Sequence, residues 1–325
     1  MSRETLPDPS RVERAERRYT IRVRMPYRLD LTVNVLRRLP TNLVDVLTAD
    51  GTYLRVMGDP AAPVVVRVRQ STPGSLTIRL EATAREQPRL LALVQRMLGV
   101  DRDLTRFYDS AASIGWLRPL ALRMRGVKPP RYPTLWEACV NAIVFQQVSL
   151  AAASAIMGRL TVALGQPVER HGVQLYHFPG AERFRNADDD VLRGAGLSAA
   201  KLATLRRVGD ALDMAPFDPA RFDDLPSADA AALLQRIKGI GPWTATVILI
   251  RGAGRLDVFP ADDSSVARNL TLVRGSGSLD LDAALQRLGP DRGMLYYHLL
   301  LARLEARGAL APVIAAPQRT RRAGA

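Results

Sequence analysis

The chain has one cysteine, Cys139, three histidines, three lysines and few aromatic residues, 6% of its 325 positions. A lone cysteine excludes an internal disulfide and an iron–sulfur cluster held by cysteine thiolates. His171 and His177 stand among glycine and aromatic residues with no third ligand or cysteine beside them, a poor metal site, and are expected as surface-loop residues. No divalent metal site and no organic cofactor is expected. No apolar run approaches the length of a membrane span, and the opening MSRETLPDPSRVERAERR has no apolar signal core. These absences lead to the expectation of a cytoplasmic protein without membrane contact. No internal repeat is seen.

What is abundant is arginine. The net charge is +14 and the sequence pI about 10.8, yet only Lys128, Lys201 and Lys238 are lysines. Such a balance points to a polyanionic partner, and nucleic acid is the commonest polyanion in a cell. A GC-rich genome would raise arginine as well, so charge alone leaves both readings open. A content of 47% hydrophobic and 24% charged residues is ordinary for a globular protein, and the length suffices for two domains or three lobes sharing a core.

Residues 1–17 are charged and aperiodic and predict a disordered tail. From Tyr19 to Met25 the alternation YTIRVRM predicts a half-buried strand, and Leu29 to Leu39 a helix. Short strands are expected over 43–47, 52–57, 64–69 and 75–82, separated by Asp-Gly, Asp-Pro and Pro-Gly turns, and a helix over 87–98. This makes residues 18–108 an α+β lobe built on a small antiparallel sheet, with no catalytic constellation in it. After Asp101 the pattern is helical, and residues 109–310 form the expected helical domain. Thr134 is placed to cap a long helix that breaks near Gln146-Gln147-Val148-Ser149. Gly165 to Phe184 reads as irregular, Lys201 as a solvated helix residue, Ser227 as a helix cap, Gly275 to Asp280 as a flexible turn and 311–325 as a disordered basic tail.

The informative stretch is LLQRIKGIGPWTATVILIRGAGRLDVFPADD, Leu233 to Asp263. Two helical patterns flank Lys238-Gly239-Ile240-Gly241. Glycines let peptide N–H groups converge on an anion, and Pro242 fits the first turn of a helix whose positive end faces the same place. That combination makes a phosphate seat that reads no sequence. The same pattern also serves as a plain tight turn. Asp262 or Asp263 in turn fits the N-cap of the helix SSVARNL, a role compatible with catalysis.

The ordered set GIGPWTA, LDVFPADD and SSVARNL resembles the helix-hairpin-helix DNA glycosylase superfamily, in particular the 3-methyladenine DNA glycosylase II family. YTIRVRMPYRLDL, QQVS and GLSAAK resemble further elements of it. The resemblance implies an α+β fold in which two all-α lobes, with a helix-hairpin-helix over 228–252 and an active-site cleft between them, follow the sheet lobe. It implies a monomeric, nucleoid-associated enzyme of base excision repair that flips alkylated bases of the 3-methyladenine and 7-methylguanine type out of double-stranded DNA. Asp263 matches the family's catalytic aspartate, and a carboxylate there stabilises positive charge developing on the sugar or orients water toward it. Alkylated purines already carry a positive charge, so one carboxylate suffices without a general acid.

The lyase members of the superfamily place a lysine two residues after the second hairpin glycine; here that residue is Trp243, which implies base removal without strand cleavage. Trp243, Tyr296 and Tyr297 are the expected base pocket. The positions of further family pocket aromatics hold Val35 and Leu300, a departure that widens or shifts the substrate range. Gln146 and Gln147 match the plug that fills the gap left by a flipped base. With them, Lys238, Gly239, Ile240, Gly241 and Thr244 are the expected DNA contacts. The hairpin carbonyls of Gln235, Ile237 and Ile240 are expected to hold a monovalent cation, Na+ or K+. Two alternatives stand beside this reading: a non-catalytic DNA-binding protein, and an oxidised-purine glycosylase with lyase action.

Overall fold

A computed structural model describes residues 14–170, 172–274 and 279–310. The expected tail over 311–325, His171 and most of the turn at 275–280 lie outside the described residues, as does the expected tail up to residue 13. β1 (Ala15–Arg22) and α1 (Leu29–Arg37) precede β2 (Val46–Leu47), β3 (Tyr53–Asp59), β4 (Ala62–Thr72) and β5 (Ser75–Ala82). The five strands form one antiparallel sheet in the order β1-β5-β4-β3-β2. β1 reaches back to Ala15, paired with Ala82, so the strand starts within the segment expected as tail. Along β5 the alternation is regular: Leu76, Ile78, Leu80 and Ala82 are buried while Ser75, Thr77, Arg79 and Glu81 face outward.

α2 (Glu86–Leu98) ends where Gly99 takes a φ of 57°. It is followed by α3 (Thr105–Ala112), α4 (Arg118–Arg123), α5 (Leu135–Val144) and α6 (Leu150–Leu164). The helix expected from Thr134 is therefore two helices, α5 capped by the Thr134 hydroxyl on Glu137 N–H and α6 by Ser149 on Ala152 N–H.

Residues expected to be irregular instead form a hairpin, β6 (Gln166–Arg170) and β7 (Val173–His177). Its Leu175 packs on Leu54 and Val56, covering the outer face of β3, which is buried on both sides. Pro167 and the exposed Glu169 and Arg170 hide that alternation in the sequence. His177 is pinned within this structure, its ring nitrogens 3.0 Å from the carbonyls of Gly58 and Phe178.

The rest is helical: α7 (Ala181–Asn186), α8 (Asp189–Gly194), α9 (Ala199–Leu212), α10 (Pro219–Asp224), α11 (Ser227–Gln235), α12 (Pro242–Ile248), a π-helical turn over Leu249–Ala253, α13 (Ser264–Val273), α14 (Leu281–Leu288) and α15 (Gly293–Ala306).

Two apolar clusters hold this together. The first joins the inner sheet face to α5, α6, α9, α11 and α12; the second joins α3, α4, α13, α14 and α15. α1 belongs to both, giving Leu29, Val33 and Leu36 to the first and Leu31 and Val35 to the second. The sheet lobe thus shares its core with the helices. A buried ion cluster adds to the join: Arg55 of β3 donates to Asp45 at 2.6 Å and to Glu137 of α5 at 2.5 Å.

Candidate active site

The hairpin between α11 and α12 depends on Gly239. Its φ is +105°, a region side chains rarely adopt, and a Cβ there would collide with Thr204 of α9, coming within 2.7 Å of its Cγ2 and 2.9 Å of its Cβ. Gly241 is different: its backbone is extended, and no heavy atom lies within 4 Å of the Cβ it lacks, so the space beside it is open. Ile237 and Ile240 are buried with Leu234, Val247 and Ile248, holding the turn on the core, while Lys238 is exposed. Of the three carbonyls expected to face a cation, that of Ile237 already accepts Ile240 N–H at 3.0 Å. Gln235 is exposed at the end of α11. The cap of α11 is Pro226, not Ser227. Ser227 Oγ instead donates to Asp257 at 2.9 Å, which ties the first hairpin helix to the loop leading to Asp263.

Facing the hairpin is the turn between α5 and α6. Gln147 sits at its tip, exposed, with a φ of +54° that few non-glycine residues take. Three braces hold it there. Lys201 donates from Nζ to the carbonyls of Val144 and Gln146, each at 2.9 Å. The Gln146 amide donates to Thr244 Oγ1 at 2.7 Å and to Gly239 O at 3.1 Å. Ser149 caps the helix that follows. Lys201 is therefore a strut and not a solvated residue, and burial lowers its pKa. Gln146 and the buried Thr244 are spent on each other, so of the two glutamines it is Gln147 that is free to meet a partner.

Asp263 is 9% exposed and is the N-cap of α13, its Oδ1 accepting Ser265 N–H at 2.7 Å. Its backbone is fixed by Asp263 N–H to Pro260 O at 3.1 Å and by Val266 N–H to Asp263 O at 2.8 Å. Oδ2 takes no part in the cap. Asp262 beside it is exposed. Trp243 is half-buried against the first core, and its indole N–H is buried without a hydrogen-bond partner among the described residues.

The expectation for Tyr297 is overturned. It is fully buried in the second core, its hydroxyl shared between Pro130 O at 3.1 Å and Ile250 O at 3.0 Å, and lines no pocket. Tyr296, one residue earlier and about 100° round the helix, is half-exposed. Val35 is fully buried and Leu300 half-buried.

Three cationic side chains in this region carry more of its structure than their sequence positions suggest: Lys201, Arg251 and Arg38. Arg251, on the π-helical turn, is 1% exposed and donates to Val35 O at 2.9 Å and Tyr132 Oη at 2.8 Å, which fastens α1 to the second hairpin helix. The scarcity of lysine was a signal for Lys201; nothing in an arginine-rich sequence singles out Arg38 or Arg251. Among the described residues no group of three or more His, Cys, Asp or Glu side chains is placed to hold a metal ion.

The chain matches a family model described as HhH-GPD superfamily base excision DNA repair protein over residues 140–289. It is 30% identical over 255 residues, 77% of its length, to a probable bifunctional transcriptional activator/DNA repair enzyme AlkA of Mycobacterium tuberculosis. It is 26% identical over 185 residues, 57% of its length, to a DNA-3-methyladenine glycosylase of Bacillus subtilis. The alignments span 50% of the first relative and 61% of the second. The fold is that of a 3-methyladenine DNA-glycosylase from Archaeoglobus fulgidus, with a TM-score of 0.74 and 24% identity over 89% of this chain and 99% of that one.

Proposed function

Because the chain belongs to the HhH-GPD superfamily of base excision DNA repair proteins and, within it, to the 3-methyladenine DNA glycosylase family, we propose that it is a monofunctional DNA glycosylase. In this reading it hydrolyses the N-glycosidic bond of alkylated bases, of the 3-methyladenine and 7-methylguanine type, in double-stranded DNA. It works as a monomer in the cytoplasm, associated with the nucleoid, in a cleft between the helical lobes.

The observation that carries the reading is Asp263. A carboxylate fixed through one oxygen at a helix N-terminus, and nearly removed from water, keeps its second oxygen for a sugar that becomes positively charged as the base departs. A cationic base leaves as a neutral molecule, so this group alone meets the electrostatic demand. Trp243 and Tyr296 offer aromatic surface for such a base. Gln147, held out on its braced turn, fills the place of the flipped nucleotide, and the open side of Gly241 admits a backbone phosphate. A monovalent cation on the hairpin carbonyls, with Gln235 and Ile237 among its ligands, complements that phosphate.

Lyase chemistry finds little support in the lysines. Lys128 is buried with Nζ donating to Arg102 O at 2.7 Å, and Lys201 is committed to two carbonyls. Lys238 is the exposed one, on the face of the hairpin.

The test is release of free bases from methylated duplex DNA. The wild type releases 3-methyladenine and 7-methylguanine; Asp263→Asn loses that release by at least about a hundredfold while its affinity for the duplex is kept. No release by the wild type leaves a DNA-binding module. A covalent complex trapped by borohydride establishes a lyase instead.

A further inference from the structure

Arg38 is out of place by every ordinary rule. It follows α1 with φ 59° and ψ −60°, and the Leu39 N–H bonds back to Arg37 O at 2.6 Å, a γ-turn of positive φ that non-glycine residues rarely accept. Its side chain is 5% exposed and has no carboxylate partner. The guanidinium instead lies 3.6 Å over the ring of Phe145, shares a hydrogen bond with Tyr296 and faces the equally buried guanidinium of Arg251. Nη1 is buried with no hydrogen-bond partner among the described residues.

A cation held on strained backbone, with one donor unused, is expensive, and such features concentrate where a ligand completes them. The surroundings say which ligand. Phe145 directly precedes the braced Gln146-Gln147 turn, and Tyr296 is the half-exposed aromatic of α15, so the free donor lies between the plug and the candidate base pocket. Arg38 also lines a cavity of about 30 Å³ with Phe145, Tyr132 and Asn141. That volume accepts one water-sized group and no ring.

We propose that Arg38 is a specificity-determining residue that donates from its free Nη1 to the exocyclic oxygen of a flipped-out base, extending the substrate range to neutral oxo-bases. The inference rests on the glycosylase reading and adds to it. A guanidinium only donates, so it pairs with a carbonyl oxygen and opposes an exocyclic amine. Its charge matters most for a base that is not itself cationic. When the C1′–N9 bond of a neutral oxo-purine breaks, the bonding pair leaves with N9 and spreads onto the exocyclic oxygen. Arg38 meets that negative charge while Asp263 meets the sugar. Water oxygen then bonds to the anomeric carbon, and one of its protons ends on the departed base. For a cationic alkylated adenine neither the donor nor its charge is needed.

The experiment compares release of hypoxanthine, a neutral oxo-purine, with release of 3-methyladenine from otherwise identical duplexes. The wild type releases both. In Arg38→Met the ratio of hypoxanthine to 3-methyladenine release falls by about tenfold or more, and Arg38→Lys, which keeps charge and a donor, loses less. Where Arg38→Met does not fold, Tyr296→Phe, which frees the guanidinium from its phenol, lowers the same ratio. An unchanged ratio, whether both rates fall together or neither falls, overturns the assignment and leaves Arg38 a structural post. A wild type that releases 3-methyladenine but no hypoxanthine overturns it too, with the glycosylase reading intact. A wild type that releases neither overturns both.

Discussion

Gln146 and Thr244 are 98 residues apart in the chain and share a hydrogen bond of 2.7 Å, the amide of the first donating to the hydroxyl of the second. Through it the turn that presents Gln147 and the helix that presents Trp243 move as one body. Thr244→Val keeps the shape of the buried side chain and removes the acceptor. A stability loss of about 1 kcal/mol is expected, since Gln146 keeps its bond to Gly239 O. The functional effect is larger where the plug is used: affinity for a duplex with an abasic site drops several-fold, and affinity for intact duplex stays within about twofold. Fluorescence anisotropy with the two duplexes checks this, and equal losses on both would count against the turn as a plug.

The hairpin glycines are not equivalent, and substitution separates them. Gly239→Ala forces a Cβ into Thr204 at a φ of +105°, so the hairpin must shift as a whole. Loss of more than 1 kcal/mol in denaturant melts is expected, with weaker binding to any duplex, damaged or not. Gly241→Ala meets no protein atom, so its stability stays close to wild type while DNA affinity falls, because the added methyl occupies the side left open for phosphate. Wild-type affinity in Gly241→Ala would remove that side of the turn from the interface.

Much of this arrangement could be read from the sequence, and the limits have physical reasons. The sheet strands announce themselves by period-two alternation between turn residues, and the hairpin by two glycines and a proline at positions where backbone geometry demands them. The break between α5 and α6 is visible because two glutamines and a serine interrupt an apolar helix. By contrast Tyr296 and Tyr297 are neighbours on a helix that is apolar on most of its surface, so spacing alone does not say which one turns outward. The β6–β7 hairpin carries too few apolar residues to show a period. Buried charges are the least legible: Lys201, Arg251, Arg38 and Arg55 look like any solvated cation until their partners, tens to hundreds of residues away, are in place.

Arg55 gives a test of that last class. It is 2% exposed and bridges Asp45 and Glu137, themselves 2% and 4% exposed. The two carboxylates hold Arg55 charged, while burial pushes the Glu137 carboxyl up. Arg55→Met leaves two buried carboxylates without a counter-charge, and a loss of about 3–5 kcal/mol at neutral pH is expected. In the variant the folded state holds protons on these carboxylates that the unfolded chain releases above its ordinary carboxylate pKa. Stability of the variant relative to wild type therefore rises as pH falls from 7.5 to 5.5. Chemical denaturation at the two pH values reads the change, and a pH-independent difference would show that the loss comes from packing alone.

His298 predicts a pH dependence of opposite sense. The ring is fully buried on α15, its Nδ1 lies 2.8 Å from Met294 O, and it rests 4.7 Å from the centre of Phe107. Nε2 is buried without a partner, so protonation would place a charge in an apolar core, and burial pushes the pKa down to about 4 from an ordinary 6.5. Between those values the unfolded chain takes up a proton that the folded protein does not. Stability is thus unaffected by this group above pH 6.5 and falls as the pH drops toward 4. At pH 4.5 the loss from His298 amounts to roughly 2–3 kcal/mol. His298→Phe keeps a ring beside Phe107 and cannot titrate, so its stability should decline less than that of the wild type by about this amount between pH 7.5 and pH 4.5. Parallel pH profiles for the two proteins in urea melts would mean that His298 is protonated within the folded core, and that a counter-charge or water reaches Nε2.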